Sequence, residues 1–347
     1  MKIKEFIPAL ILLAFTFLLP ACVVPEEILK RKMLVVVNKG DNTVTVIDRE
    51  TYEILGEIMT GIGPHEISVN GQGIAVISNY GTRYNPGSSL TVIDLNRMEL
   101  AGFINLPRIR TPHGVVFLAD DERVAVVAEG SKRILIVNIE TGEIEQSMRT
   151  QQNMPHMVTL NDKLNQIFVS NIRSNTVNIY DLNSVSALNM VSTGASPEGM
   201  GISPDGKEVW IAERVGNSIS VLDTSTLEIV ETIPCPGAPL RVAFTPDGRH
   251  ALVSVSLTSE VVVFDARTRL EAIRIPLDYS ATEKNTPEIQ SKLKPVPAAL
   301  CVEPDSSLCY VASGNADLIT VIDLTRWTVR TRLKTGQIPD GIALYDG

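Results

Sequence analysis

The sequence predicts an all-β protein: a seven-bladed β-propeller of four-stranded antiparallel blades, spanning residues 33–347. Three observations predict it. A proline opens each of seven units, as Pro64, Pro112, Pro155, Pro197, Pro239, Pro297 and Pro339, at spacings of 48, 43, 42, 42, 58 and 42 residues. A recurrence near this length is that of one propeller blade. Each unit divides into short β-branched runs separated by turn residues, and the third run closes on Asp48, Asp94, Asp181, Asp223, Asp265 or Asp323, with Asn138 in the third unit. Finally, the first unit starts at its second strand, while the chain ends on a spare first strand, residues 341–345. Pairing the two ends closes the ring and removes an exposed sheet edge.

In chain order, residues 1–21 are a targeting segment. Lys2 and Lys4 precede an apolar run from Phe6 to Leu19, followed by Leu19-Pro20-Ala21-Cys22. This resembles a bacterial lipoprotein signal, which implies cleavage before Cys22 and its lipidation. Val23 after the cysteine then implies sorting to the outer membrane in a Gram-negative cell. Two other readings stay open: an uncleaved anchor, since residues 6–24 are just long enough to span a bilayer, and a secretory peptide cleaved without lipidation. All three place the body outside the cytoplasm, in the cell envelope. Residues 22–32 form a short tether that holds it near the membrane.

The fifth unit shows the blade most plainly. Residues 199–203 form the first strand, and Pro204-Asp205-Gly206-Lys207 has the residue types of a tight turn. Strands follow at residues 208–213, 218–223 and 228–234. Two insertions break the period, and both map to the face where each first strand begins. Residues 81–89 lengthen a loop in the second blade, where Tyr80, Arg83 and Tyr84 lean over the mouth of the channel. Residues 278–295 separate the sixth and seventh blades, with a short helix predicted over 287–294. Long loops on one end of a rigid scaffold are where binding tends to reside. His250 falls in a turn on the opposite face and is expected to be solvated.

The second strands end in Val35-Val36-Val37-Asn38, Val76-Ile77-Ser78-Asn79, Phe168-Val169-Ser170-Asn171 and Tyr310-Val311-Ala312-Ser313. With the Pro-Asp-Gly turns at 204–206 and 246–248, they resemble the YVTN-repeat β-propeller family over residues 33–347. That family is similar in fold to the propeller domains of nitrous oxide reductase, cytochrome cd1 nitrite reductase and lactonase-type enzymes. Fold alone does not choose among those functions. No cupredoxin-like part accompanies the repeats here, and three histidines fall short of the copper-cluster ligand set of nitrous oxide reductase.

The residue after each opening proline begins the innermost strand and faces the channel mouth. In order these are His65, His113, His156, Glu198, Leu240, Ala298 and Asp340. Three histidines on consecutive blades are a ligand set suited to Zn, Cu or Fe, with Glu198 as a fourth ligand or a base. They also suit a haem-dependent redox protein. A second ring ends the second strands: Asn38, Asn79, Glu129, Asn171, Glu213, Val255 and Ser313. Its asparagines bond loop backbone, whereas Glu129 and Glu213 add charge near the histidines and, with Asp340, Arg83 and Tyr84, are candidate binding residues. The alternative is that these polar groups simply line a wet channel.

Composition narrows the partners. The formal net charge is −9, with 20% charged and 44% hydrophobic residues, and there is no Lys/Arg run. A globular, acidic body does not suit nucleic acid. Cys235, Cys301 and Cys309 read as structural: across the turn at 303–307, Cys301 and Cys309 fall in adjacent pairs that point to opposite faces, so no bridge is predicted. No Cys-x-x-Cys-His, Gly-x-Ser-x-Gly or phosphate loop occurs. The sequence therefore predicts a monomeric, membrane-tethered propeller that binds a protein or small molecule on its channel face. The alternatives are a metal- or haem-binding envelope protein and a lactonase-like hydrolase with a histidine or Glu198 as base.

Overall fold

The structure, a computed structural model, describes residues 31–347 except 185, 287, 288 and 290–292. The signal segment, Cys22 and the tether up to residue 30 lie outside the described residues. Seven four-stranded antiparallel sheets form the ring. Six take their strands consecutively from the chain. In the remaining sheet the order is Pro339–Tyr345, Met33–Asn38, Thr43–Asp48, Ile54–Met59. Met33 pairs with Tyr345, Leu34 with Leu344, Val35 with Ala343 and Val36 with Ile342, so the two chain ends close the ring.

The second and third strands of each blade are covered on both faces by neighbouring blades, and they read as continuous apolar runs rather than alternating ones. Met33–Asn38, with sequence MLVVVN, is buried throughout. The core is accordingly a series of layers between blades. Val35, Val37, Val44 and Val46 of the first blade pack with Ala75, Ile77 and Ile93 of the second. Trp210 fills the layer between the fifth and sixth blades, its ring edge-on to Phe244 and Phe264. The fourth strands lie outermost and are largely exposed, as in Glu228–Pro234.

Closure is reinforced by a buried cation. Arg49, in the first blade, bonds Glu303 of the seventh (2.9 Å), the Tyr345 carbonyl (3.3 Å) and the Asp346 carboxylate. Tyr345 in turn donates to Asn96 of the second blade. Three blades and the C-terminus are thereby joined at one point.

The first strands carry the feature that positions the site. Pro64 pairs with Asn79 and Ile67 with Ile77, so two residues, His65 and Glu66, oppose one, Ser78. The same bulge recurs at Pro112, Pro155, Pro197, Pro239 and Pro297. A bulge bends the strand, interrupts strict alternation and redirects side chains. Serines on the second strands catch the amides it displaces: Ser78 from Glu66, Ser170 from Met157 and Ser254 from Arg241.

Two expectations change, and a third falls largely outside the described residues. Residues 81–89 are not a loose loop: Gly81 pairs with Pro86, so strands two and three of this blade continue into an extended hairpin that turns at 82–85. In the second insertion the described helical turn is Ala281–Lys284, upstream of the predicted one, with Ser280 and Glu283 forming a capping box. Most of the 287–294 segment lies outside the described residues. His250 is not freely solvated; its ring packs edge-on against Trp327 at 4.9 Å. Cys301 pairs with Tyr310 and Val302 with Cys309, in the expected register, and all three described cysteines are free.

The aspartate that ends each third strand holds the following turn. Asp223 Oδ1 accepts from the amides of Ser225 (2.8 Å) and Thr226 (2.9 Å) and from the Ser225 hydroxyl. The Ser225 hydroxyl and these amides lower its pKa. Asn138 does the same work uncharged, accepting from Glu140 and Thr141. Asp223→Ala is therefore expected to cost about 1 kcal/mol in urea unfolding, and Asp223→Asn much less. The charge contributes only above the ordinary carboxyl pKa and is lost as pH falls through the depressed value. The gap between wild type and Asn should close in acid.

Candidate functional site at the channel mouth

The bulged first strands bring their leading residues to one end of the channel axis. His65, His113 and His156 stack there as a column. Ring centroids are 4.1 Å apart between His65 and His113 and 3.8 Å apart between His113 and His156. Tyr80, at the base of the extended hairpin, lies edge-on to both His65 and His113. The consecutive-blade histidines of the sequence thus meet in space.

The outer two imidazoles each face charged groups at both nitrogens. Lys39 donates to His65 Nε2 at 2.8 Å, leaving the His65 proton on Nδ1. That nitrogen lies 2.9 Å from Asp340 and 3.9 Å from Glu66, an electrostatic contact at an angle unsuited to a hydrogen bond. His156 meets a carboxylate on each side, Glu129 at Nδ1 (3.3 Å) and Glu198 at Nε2 (3.1 Å). Burial works against the His156 cation, but the two glutamates outweigh it and raise its pKa.

His113 is the exception. It is 1% exposed, and neither ring nitrogen has a hydrogen-bond partner among the described residues. Burial, and then the cationic forms of His156 and His65, push its pKa well down. The middle imidazole is therefore neutral. Its nitrogens join two groups whose ligand atoms all lie within 4.8 Å of one another: His65, Glu66 and His113, and His113, Glu129 and His156.

A shell of ion pairs surrounds the column. Arg241 bonds Glu66 at 2.8 Å and lies 3.9 Å from Glu198; Arg214 lies 3.3 Å from Glu198. Burial works against the Arg241 cation, but Glu66, Glu198 and Asp340 outweigh it. Burial likewise opposes the Glu198 charge, and His156, Arg241 and Arg214 nevertheless bring its pKa down to about 2. A carboxylate so stabilised is a weak proton acceptor, which gives no support to Glu198 as a hydrolytic base. Nor does Glu198 enter either candidate ligand group.

The other expected residues divide. Asp340 and Glu129 stand at the mouth, Glu129 also accepting from Tyr80 at 2.9 Å. Glu213 turns away: fully buried, it accepts from the Gly194 amide and the hydroxyls of Ser218 and Ser220. Arg83 and Tyr84 lie at the exposed hairpin tip, with Tyr84 92% exposed, and Tyr80 takes the position over the mouth. Glu66, Arg241 and Lys39 were not expected at the mouth. Glu66 and Arg241 come two residues after their prolines, on the face that strict alternation assigns away from the channel, and the bulge brings them in. Gly199 makes room for one of them, since a Cβ there would sit 2.5 Å from Arg241 Cδ.

The sequence profile described as the cytochrome D1 heme domain matches residues 111–288. No curated protein matches the chain significantly. Among solved structures, a functionally unknown protein from Desulfotomaculum acetoxidans superposes with a TM-score of 0.74 at 14% identity, covering 90% of this chain and 98% of the other. Hydrazine synthase from Kuenenia stuttgartiensis superposes with a TM-score of 0.70 at 17% identity, covering 84% of this chain and 92% of the other. At these identities the superpositions establish the shared seven-bladed fold.

The ion pairs carry a pH signature. With its pKa lowered to about 2, Glu198 contributes stability above its ordinary value of 4.5 that is lost as pH falls toward 2. His156, raised above 6.5, contributes below that value and loses its contribution as pH rises through the raised one. Glu198→Gln should lower stability by about 2 kcal/mol near pH 6 and flatten the decline between pH 4.5 and 2. Thermal melts across that range measure both.

Proposed function

Because the chain belongs to the cytochrome D1 heme domain family, which its profile match over just over half the sequence shows, we propose a function that starts from that propeller but does not use a haem at this mouth. A haem requires a broad, largely apolar slot and an imidazole edge facing it. The residues here do not fit one. The histidine rings stack on each other, the surrounding side chains are Glu66, Glu129, Glu198, Asp340, Lys39 and Arg241, and both His113 nitrogens are buried.

Our reading is a non-catalytic binding propeller whose channel mouth holds a single transition-metal cation, Zn, Cu or Fe. One observation carries it: His113 is neutral and buried with both nitrogens unpartnered. Leaving such a polar atom unsatisfied costs about 1–3 kcal/mol, and a cation bound to it removes that cost. The group His65, Glu66 and His113 suits the ion better than His113, Glu129 and His156. His65 Nδ1 makes an electrostatic contact with Asp340 and would give up its proton to become a ligand, whereas both His156 nitrogens are committed to carboxylates. Ligands about 2.1 Å from a tetrahedral ion lie about 3.4 Å apart, a separation these atoms, all within 4.8 Å of one another, can approach.

Elemental analysis of protein grown with supplemented metals should find one equivalent of Zn, Cu or Fe, absent from His113→Ala. Glu66→Gln should weaken uptake about tenfold or more. Wild-type protein that is metal-free and shows no heat of binding with added Zn²⁺ or Cu²⁺ refutes the reading.

The propeller is carried, in this proposal, at the cell envelope by a lipid on Cys22, with residues 22–32 as tether. Among the described residues no helix is long and apolar enough to cross a membrane. Cys22→Ser should accumulate as unprocessed precursor and leave the membrane fraction. Unchanged processing and fractionation would rule out lipidation.

A further inference from the structure

The loops that follow each second strand and precede each first strand open at the channel-mouth end, because each opening proline pairs at the end of the second strand, as Pro155 does with Asn171 and Pro197 with Glu213. From the second blade to the fifth, the only well-exposed charged residues of these loops are cations: Arg83, Arg108, Arg110, Lys132, Arg173 and Arg214. The acids in the same loops are withdrawn. Glu129 is held by Tyr80 and His156, and Glu213 is buried against Gly194, Ser218 and Ser220.

The cations themselves are largely free. Among the described residues, Arg83, Arg108, Arg110 and Arg173 make no ion pair, and Lys132 bonds a neutral partner, Asn153, at 2.7 Å. Lys132 and Arg173 flank a cavity of about 560 Å³ that also takes in Asn153, Met154 and Glu129, the last held by Tyr80 and His156. Two apolar side chains stand in the same arc, Tyr84 at 92% and Val215 at 65% exposure. In a chain of net charge −9, an arc of one positive sign is a local reversal of the field.

We propose that this arc is a docking surface for an acidic protein partner. Arg and Tyr are the residues that anchor protein interfaces, and a one-sign patch steers and orients a partner of opposite charge. Its spread over four blades is wider than a small anion fills. A membrane is disfavoured by topology. The chain enters the propeller at Met33, opposite Asp48 and Tyr345, whereas the mouth end of the same strand is Asn38, opposite Pro339. The N-terminal segment therefore leaves from the other end, and a bilayer attached through it faces away from the arc. That preference for protein over membrane rests on the proposed tether; the arc itself does not depend on bound metal.

The test uses the full-length protein anchored in phosphatidylglycerol vesicles, with poly-L-glutamate as the acidic probe. Binding is expected, weakening about tenfold between low and physiological salt. Arg108→Glu/Arg110→Glu should weaken it at least tenfold, and Arg83→Glu/Arg173→Glu comparably, each with an unchanged melting profile. Lys207→Glu/Arg267→Glu, on the opposite end, should bind as wild type, and EDTA treatment should have no effect on wild type. Equal losses in all three double variants would show nonspecific attraction and overturn the proposal. So would binding that occurs in detergent but disappears on the vesicles, because the bilayer would then be the occupant of the arc. Loss of binding on EDTA treatment alone would show that the probe reads the metal site instead, and would also overturn it.

Discussion

Everything in this molecule depends on closing the ring. Each sheet is apolar on both faces, so no blade can be left with an open side, and the last edge has to be met by the first. The pairing of Pro339–Tyr345 with Met33–Asn38 does this, and the buried Arg49 ties the joint to Glu303 and Asp346. Closure also creates the site. It places the first strand of every blade around one axis, so that Glu66 and Arg241, 175 residues apart, share a salt bridge of 2.8 Å.

The chemistry of the mouth follows from that crowding. Two unit charges about 4 Å apart repel by about 4 kcal/mol at the effective dielectric of a protein surface, and by more inside. Imidazoles stacked at 3.8 and 4.1 Å cannot all be cations. The two at the ends have acidic neighbours, Asp340 beside His65, and Glu129 and Glu198 beside His156. The one in the middle lies near Glu66 and Glu129, but these carboxylates are engaged by Arg241 and by His156 and Tyr80, and burial leaves it neutral. A neutral, buried and unpartnered imidazole is the arrangement that a metal cation would complete. In the proposed reading, the same ion pairs are what makes this mouth unsuited to a haem.

Much of the fold was legible because a blade repeats its own grammar. The opening prolines, the turn aspartates and the apolar second strands recur at nearly constant spacing, and even the closing strand could be identified from what the first unit lacks. The histidines were legible for the same reason, since each follows an opening proline. Glu66 and Arg241 were not, because a one-residue bulge overrides the period of two on which any reading of strand faces relies. Glu213 was misplaced for a different reason. It occupies the ring position of Glu129, but the neighbouring Ser218, Ser220 and Gly194 offer it donors inside the blade, so it turns inward. Tyr80 stands at the mouth as expected and Tyr84 does not, because their segment forms a paired hairpin that fixes Tyr80 at its base and carries Tyr84 out to the tip.

By itself, the sequence determined the number of blades, their order, the closure and the identity of the residues that begin each innermost strand. These are properties of local pattern, in which each strand and turn is specified by residues within a few positions. Only the tertiary structure decided which side chains share the mouth, which imidazole is left neutral, and that the charges exposed on the mouth-end loops of four successive blades are all positive. Those depend on distances across the ring between residues far apart in the chain, and on burial, which strengthens each charge interaction while withdrawing some acids and leaving the cations in water.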